Sequence, residues 1–421
     1  MLLKNGPTLA CAVSLSAAFF LPKLAHAVLC DDLNLPNKVF GVGGSANEAT
    51  LKRIQQAINA DPNKTDQRIT IFWADDKGAC QRFEDFKAGK SSSQFNYWTT
   101  TDPKAANELC DARPGGQPVV FSHMGNDVSL CPDPTLPAGV GDFIAPVQTL
   151  NIITEKKSNE LSISAEALYF IYGFGPTGQA APWTDGTGIY QRAFDSFASL
   201  LIASAINVPS ASFKWTANEK AKQGDVIKAV STYGTTEELA RQTLGYVSGS
   251  AADGARGGAT PVKTLAYQHY DQACGVYPDS DPSKFDKLNV REGKYYLWAA
   301  GHYFTKVDNK GKPLDPLVEN VLGWFSKKTQ APGTSVNAFE QSILAGDIPQ
   351  CAMHAQREGT LGAISSYADP KPCGCFFEHA TNSSVTSACT PCTTDAQCGG
   401  DTPACNFGYC EGYRSAGEVE G

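Results

Sequence analysis

The 421-residue chain is 42% hydrophobic and 10% aromatic, with 39 glycines and 25 prolines, which excludes a disordered protein and fits a loop-rich α/β fold better than a helical bundle. Its net charge of −8 excludes a nucleic-acid surface and a general attraction to anionic lipid. Any anion it binds must be held by local groups.

Residues 1–27 read as an export signal: Lys4, an apolar stretch from about Leu9 to Leu21, then Ala25-His26-Ala27 as a small-x-small cleavage site. The mature chain is then expected to start at Val28, in the periplasm or outside the cell. No later stretch approaches the ~18 apolar residues that a membrane span requires. Cys30 raises the alternative of a lipid anchor, less expected because Leu29 stands where Gly or Ala is usual. Cleavage removes Cys11 and leaves 13 of the 14 cysteines, a density that means disulfides in an oxidising compartment. The odd number requires a free thiol, a lipidated Cys30 or an intermolecular bridge.

The first predicted strand, Val39–Val42, runs through Gly43-Gly44-Ser45 into a predicted helix over Glu48–Ala60. Glycines there allow close backbone approach, and the first N–H groups of a helix, with its dipole, suit an anion. Ser45 either caps this helix in a Ser-x-x-Glu box with Glu48, or gives its hydroxyl to a ligand, or does both. The lysine that a nucleotide P-loop needs after its glycines is missing.

Further strands are predicted over Arg68–Phe72, Val119–Ser122 and Leu150–Ile153. After the third strand of the chain comes His123-Met124-Gly125-Asn126-Asp127. Asp127 there either caps a turn or accepts a proton from a protonated oxyanion, which would select hydrogen phosphate over sulfate. Helical patterns follow at Ala165–Tyr172, Phe197–Ile206, Glu237–Leu244 and Leu317–Trp324. Just before the second of these stands Arg192-Ala193-Phe194-Asp195-Ser196. Arg192 is either a fork for oxyanion oxygens oriented by Asp195, or half of a surface pair with Asp195 or Ser196 as the helix cap. The alternation of strands and helices argues for α/β lobes with ligands at strand ends.

Cysteine spacing divides the chain. Cys30, Cys80, Cys110, Cys131, Cys274 and Cys351 are sparse, whereas Cys373, Cys375, Cys389, Cys392, Cys398, Cys405 and Cys410 crowd a segment with few aliphatic side chains. Such a segment cannot build its own core and is expected to be held by crosslinks, with its boundary near Asp369-Pro370-Lys371-Pro372. Its single Cys-x2-Cys pair lacks the second pair of a zinc ribbon, so disulfides are expected and no metal or cofactor is assigned. No Gly-x-Ser-x-Gly or other nucleophile frame is present, so no catalytic residue is assigned and a non-enzymatic role is expected.

Together these residues resemble phosphate-type substrate-binding proteins of ABC importers, in the type II periplasmic-binding-protein superfamily. A closer likeness is to a divergent exported branch with a cysteine-rich tail. It is carried by Ile163-Ser164-Ala165-Glu166-Ala167-Leu168-Tyr169, Gly173-Phe174-Gly175, Pro182-Trp183-Thr184-Asp185, Pro278-Asp279-Ser280 and Asp286-Lys287-Leu288-Asn289-Val290-Arg291-Glu292-Gly293-Lys294-Tyr295. Cys351-Ala352-Met353, Cys373-Gly374-Cys375-Phe376-Phe377-Glu378 and Cys405-Asn406-Phe407-Gly408-Tyr409-Cys410-Glu411 extend it to the tail. The resemblance implies two α/β lobes joined by two crossovers, lobe 1 at about 28–148 and 287–365, lobe 2 at about 149–286, and a tail at 366–421. It implies an oxyanion, phosphate favoured, or a polar solute in the cleft beside Gly44, Ser45, Asp127, Arg192, Asp195 and Ser196, with an ABC importer as partner. The sequence departs from this pattern where Phe197 and Ala198 replace the glycine and hydroxyl residue expected after the arginine and serine, and where Asn126 precedes Asp127 in place of serine. The alternative is a structural or interaction protein that kept the fold, lost the ligand and uses the tail as its working part.

Overall fold

One sheet runs through most of the protein, and two of its strands belong to both of its halves. The computed structural model describes residues 28–258, 260, 262–326, 330–382 and 389–412; the predicted export signal lies outside them. The strands are β1 (Lys38–Gly43), β2 (Thr70–Ala74), β3 (Gln94–Tyr97), β4 (Glu108–Asp111), β5 (Phe121–Met124), β6 (Val140–Glu155), β7 (Gly245–Ser248), β8 (Val262–Thr264) and β9 (Trp298–Lys306). They lie in the order β7-β6-β9-β5-β1-β2-β3-β4, with β8 also paired to β6. β1 is parallel to β2 and β5, and the other pairs are antiparallel.

β6 carries the connection. Its sixteen residues pair through Val140–Thr149 with β9 and then through Leu150–Glu155 with β7 and β8. The sequence predicted only Leu150–Ile153, toward the end of this strand; its first residues, Val140–Ile144, are mostly apolar but partly or fully exposed, so no alternation of buried and polar positions marks them. The fold class expected from the alternation, α/β, is what the structure has, with a mixed sheet and a disulfide-rich C-terminal region.

Helices cover the sheet: α1 (Ser45–Ala60), α2 (Ala79–Lys87), α3 (Ala165–Phe174), α4 (Phe197–Ile206), α5 (Gln223–Tyr233), α6 (Glu237–Arg241), α7 (Gly249–Arg256), α8 (Leu288–Arg291), α9 (Pro316–Gly323), α10 (Ala338–Leu344) and α11 (Gly374–Asn382). α1 forms because Leu51, Ile54 and Ile58 recur at helical spacing, and all three are fully buried. α2, α5 and α7 were not legible in advance. In α7 the run Gly249-Ser250-Ala251-Ala252-Asp253-Gly254-Ala255-Arg256 has small residues in place of an apolar stripe. Among the described residues, no helix is long and apolar enough to cross a membrane.

The disulfides are Cys30–Cys110, Cys80–Cys131, Cys351–Cys373, Cys375–Cys389, Cys392–Cys405 and Cys398–Cys410. The sulfurs of Cys392, Cys398 and Cys410 come within 4.8 Å of one another, but all three are taken up in disulfides. The cysteine-rich tail is held by more than crosslinks, which corrects the sequence expectation. Phe376 stacks 5.9 Å from Phe339 of α10, and Phe407 lies 5.3 Å from Phe339. Buried Arg291 pairs with Glu378 at 3.2 Å and lies 5.0 Å over the Phe377 ring. Aromatic side chains do here what the missing aliphatic ones would have done. Cys351–Cys373 also crosses the boundary expected near Asp369.

Cys30 is 1% exposed and bonded to Cys110, so the odd cysteine is the exposed Cys274. A thiol titration of the undenatured chain from Val28 onward is therefore expected to find one reactive thiol per molecule, and none in Cys274→Ser. A second thiol, or none in the parent, would contradict this pairing.

Candidate functional site

The N-termini of four helices converge on a cavity of about 300 Å³. α1 and α2 follow the neighbouring parallel strands β1 and β2, so their starts lie side by side at the strand ends. α4 and α5 approach from the β7 half of the sheet. The N-cap positions are Gly44, Gly78, Ser196 and Lys222, all lining the cavity. Three of them cap nothing with a side chain, and only Ser196 does so, its Oγ accepting from the Ser199 N–H at 3.2 Å. The first N–H groups of such helices lack intrahelical partners and carry the positive end of the dipole.

Arg192 is the charged centre of the site. It is 5% exposed, and its backbone is fixed by Tyr246 Oη, which accepts from the Arg192 N–H at 3.2 Å, and by Ser199 Oγ, which donates to its carbonyl at 3.0 Å. Its Nη2 donates to Ser45 Oγ at 3.3 Å, while Nε and Nη1 are buried without a partner. Burial without a counter-ion lowers its pKa to about 10. The other cations at the cavity are paired: Lys77 with Asp85 at 2.6 Å, and Lys222 with Asp75 at 3.5 Å.

The structure brings Gly44, Ser45, Arg192, Asp195 and Ser196 together, with three corrections of role. The helix starts at Ser45 with Gly44 as its N-cap, so the Ser45–Glu48 capping box does not form and the Ser45 hydroxyl is left for Arg192. Gly43 is needed for packing rather than ligand approach, since a Cβ there would lie 2.6 Å from the His123 carbonyl and 2.7 Å from the Trp73 ring. Asp195 does not orient Arg192. Its carboxyl lies against the start of α2, where a Cβ on Gly78 would sit 1.9 Å from Asp195 Cγ.

Asp127 lies elsewhere. It caps the short turn at Val128–Leu130, its Oδ1 accepting from the Ser129 N–H at 2.7 Å. Partial burial pushes its pKa up, but the hydrogen bonds from Ser129 hold it below the usual range. Phe197 lines the cavity and its ring rests on Gly125, where a Cβ would be 2.9 Å from it.

Two carboxylates line the cavity, Asp76, which pairs with Arg82, and the buried Asp75, which the sequence reading missed. Asp75 Oδ1 accepts from Asn96 Nδ2 at 2.8 Å, and Oδ2 is buried with no amide, hydroxyl or ammonium donor. Glu48 shares a proton with it: burial, then the hydrogen bond and repulsion from Asp75, push Glu48 up to about 8. The signal was present, because Ile71-Phe72-Trp73-Ala74-Asp75-Asp76-Lys77-Gly78 repeats the strand-to-glycine-to-helix pattern seen at Gly43-Gly44-Ser45. Lys222 had no such signal. Three contacts now bridge the cavity: Ser45–Arg192, Asp75–Lys222 and Gly78–Asp195.

No protein-family model matches the chain, and no curated protein is similar to it in sequence. Among solved structures it is similar to an ABC-type phosphate transport receptor from Vibrio cholerae, at 12% identity and a TM-score of 0.45 over 74% of this chain and 99% of that one. It is also similar to PstS from Borrelia burgdorferi, at 11% identity and a TM-score of 0.37 over 74% and 98%. A mutant OxyR from Corynebacterium glutamicum follows at 8% identity and a TM-score of 0.39 over 74% and 67%. The structural neighbours are thus phosphate ABC substrate-binding proteins and OxyR proteins, whose folds are of the type II periplasmic-binding-protein kind. At these values the likeness says nothing about a ligand.

The Glu48 proton has a measurable consequence. A carboxyl whose folded pKa is raised contributes stability that is full below its unfolded value of 4.5 and is lost as pH rises through the folded value of about 8. Asp347 and Glu411, each pushed up to about 7 by burial, act in the same direction. Urea unfolding is expected to show stability falling from about pH 5 to about pH 8, with a shallower fall in Glu48→Gln. An unchanged slope in the variant would contradict the shared proton.

Proposed function

We propose that the protein is an exported, non-enzymatic solute-binding protein that holds a small oxyanion, hydrogen phosphate in preference to sulfate, between two α/β lobes. The lobes are those at about 28–148 with 287–365 and at about 149–286, followed by the tail at 366–421. One observation carries this reading: Arg192, whose Nε and Nη1 have no partner, and Asp75, whose Oδ2 has no donor beyond the Glu48 carboxyl, line the same cavity. A ligand that satisfies both must bring acceptor oxygens for the guanidinium and a donor for the carboxylate. Hydrogen phosphate brings both, whereas sulfate brings only lone pairs and would set two acceptors against each other.

Binding would work by closure, with the anion adding to the contacts that already bridge the cavity. Six disulfides support an oxidising compartment. Delivery to an ABC importer is the further step of the proposal and rests on analogy of fold. The reading in which the tail alone does the work is weakened by its docking on α10 through Phe376 and Phe407.

Isothermal titration calorimetry of the oxidised chain from Val28 onward is expected to show saturable phosphate binding and little heat with sulfate. Arg192→Ala removes two charge-assisted bonds, each worth about 1.5–3 kcal/mol, and is expected to weaken phosphate by at least about a hundredfold. Asp75→Asn is expected to narrow the gap between phosphate and sulfate, because the amide can donate to an oxygen that carries no proton. Folded protein that gives no heat with either anion would overturn the proposal.

A further inference from the structure

The cavity, whose two sides already touch, has a neighbour. Beyond the Ser45–Arg192 and Asp75–Lys222 contacts it meets a second hollow of about 720 Å³, and Ser45, Lys222 and Gln223 line both. A site built for a free inorganic anion gains from excluding water on every side, since each charge interaction strengthens as the dielectric falls. Here the wall made by Ser45, Lys222 and Gln223 is shared with a larger groove, so a small parting of these side chains would join the two.

We infer, on the reading just proposed, that the natural ligand is a phosphate monoester. Its phosphate occupies the 300 Å³ cavity and its polar organic part lies in the larger groove. The first volume alone is at the lower end of small-molecule pockets, and the groove adds ample room for a body of several carbons.

The groove runs between α1, α5, α7 and the end of α10, with Thr381 of the tail at its edge. Its walls are cleared where bulk would matter. Gly224 and Gly254 both line it, and a Cβ at either would meet nothing within 4 Å. Ala49 and Ala251 keep the remaining surface low. Arg53 from α1 and Asp225 from α5 also line the groove, and among the described residues neither has an ion-pair partner. Opposite charges on two facing elements suit hydroxyl groups, which both donate and accept, better than a hydrocarbon chain. A sugar or polyol phosphate meets all of these demands.

The test is calorimetry on the same oxidised chain with inorganic phosphate, glycerol phosphate and ribose phosphate, in the parent and in Gly254→Trp. The indole enters open space on an exposed helix face, so the fold should stand, and circular dichroism verifies that it does. The expected result is a monoester bound at least about tenfold more tightly than inorganic phosphate, with that advantage lost in Gly254→Trp while phosphate affinity holds within about twofold. Phosphate binding that exceeds monoester binding, or a monoester advantage that survives Gly254→Trp, would overturn the inference and leave the anion site standing. Failure of all three probes to bind folded protein would overturn both.

Discussion

A guanidinium taken out of water with no carboxylate beside it is the constraint around which this fold is arranged. Arg192 is 5% exposed and unpaired at two of its nitrogens, in a cavity where four helices already point their positive ends. A charge in such a place costs several kcal/mol unless something offsets it. The chain supplies partial compensation: the Ser45 hydroxyl on one nitrogen, and the Asp195 carboxyl at the start of α2. None of these neutralises the fork directly. An arriving oxyanion would, and the free energy released at that moment is what can hold the two sides together.

The helices that aim at Arg192 depend in turn on contacts far from it. The start of α1 is pinned by Thr50 Oγ1, which donates to Asp347 Oδ2 at 2.8 Å, and by Tyr303 Oη of β9, which donates to Asn47 Oδ1 at 3.1 Å. Asp347 follows α10, and α10 is backed by Phe376 and Phe407 of the tail. The tail is therefore a brace for the loop that positions Gly44 and Ser45. β6 and β9 supply the other half of the frame, because each runs from the region beside β5 to the region beside β7 and gives the two sides of the cavity a common spine.

Much of this was legible in advance, for stated reasons. β1 and the body of α1 announce themselves through apolar patterning and α4 through a nearly unbroken apolar run, and the residue types at Ser45, Arg192 and Ser196 match their placement at helix starts. Asp127 stands out in the sequence because it follows an apolar strand, as Asp75 does. What separates the two is tertiary: Asp127 turns back to cap Val128–Leu130, while the parallel pairing of β1 with β2 brings Asp75 beside α1. α5 and α7 carry few large apolar residues, so Lys222 and the groove they form with α1 could not be foreseen. The role of the tail was hidden for a similar reason, since four aromatic residues scattered among cysteines, Phe376, Phe377, Phe407 and Tyr409, carry its packing.

The most direct measurement is a crystal structure of the oxidised chain grown with phosphate. The account predicts a tetrahedral anion in the cavity, with oxygens within hydrogen-bond distance of Arg192 Nε and Nη1 and a protonated oxygen toward Asp75 Oδ2. A cavity holding water alone at saturating phosphate, with Arg192 turned to a protein carboxylate, would contradict it.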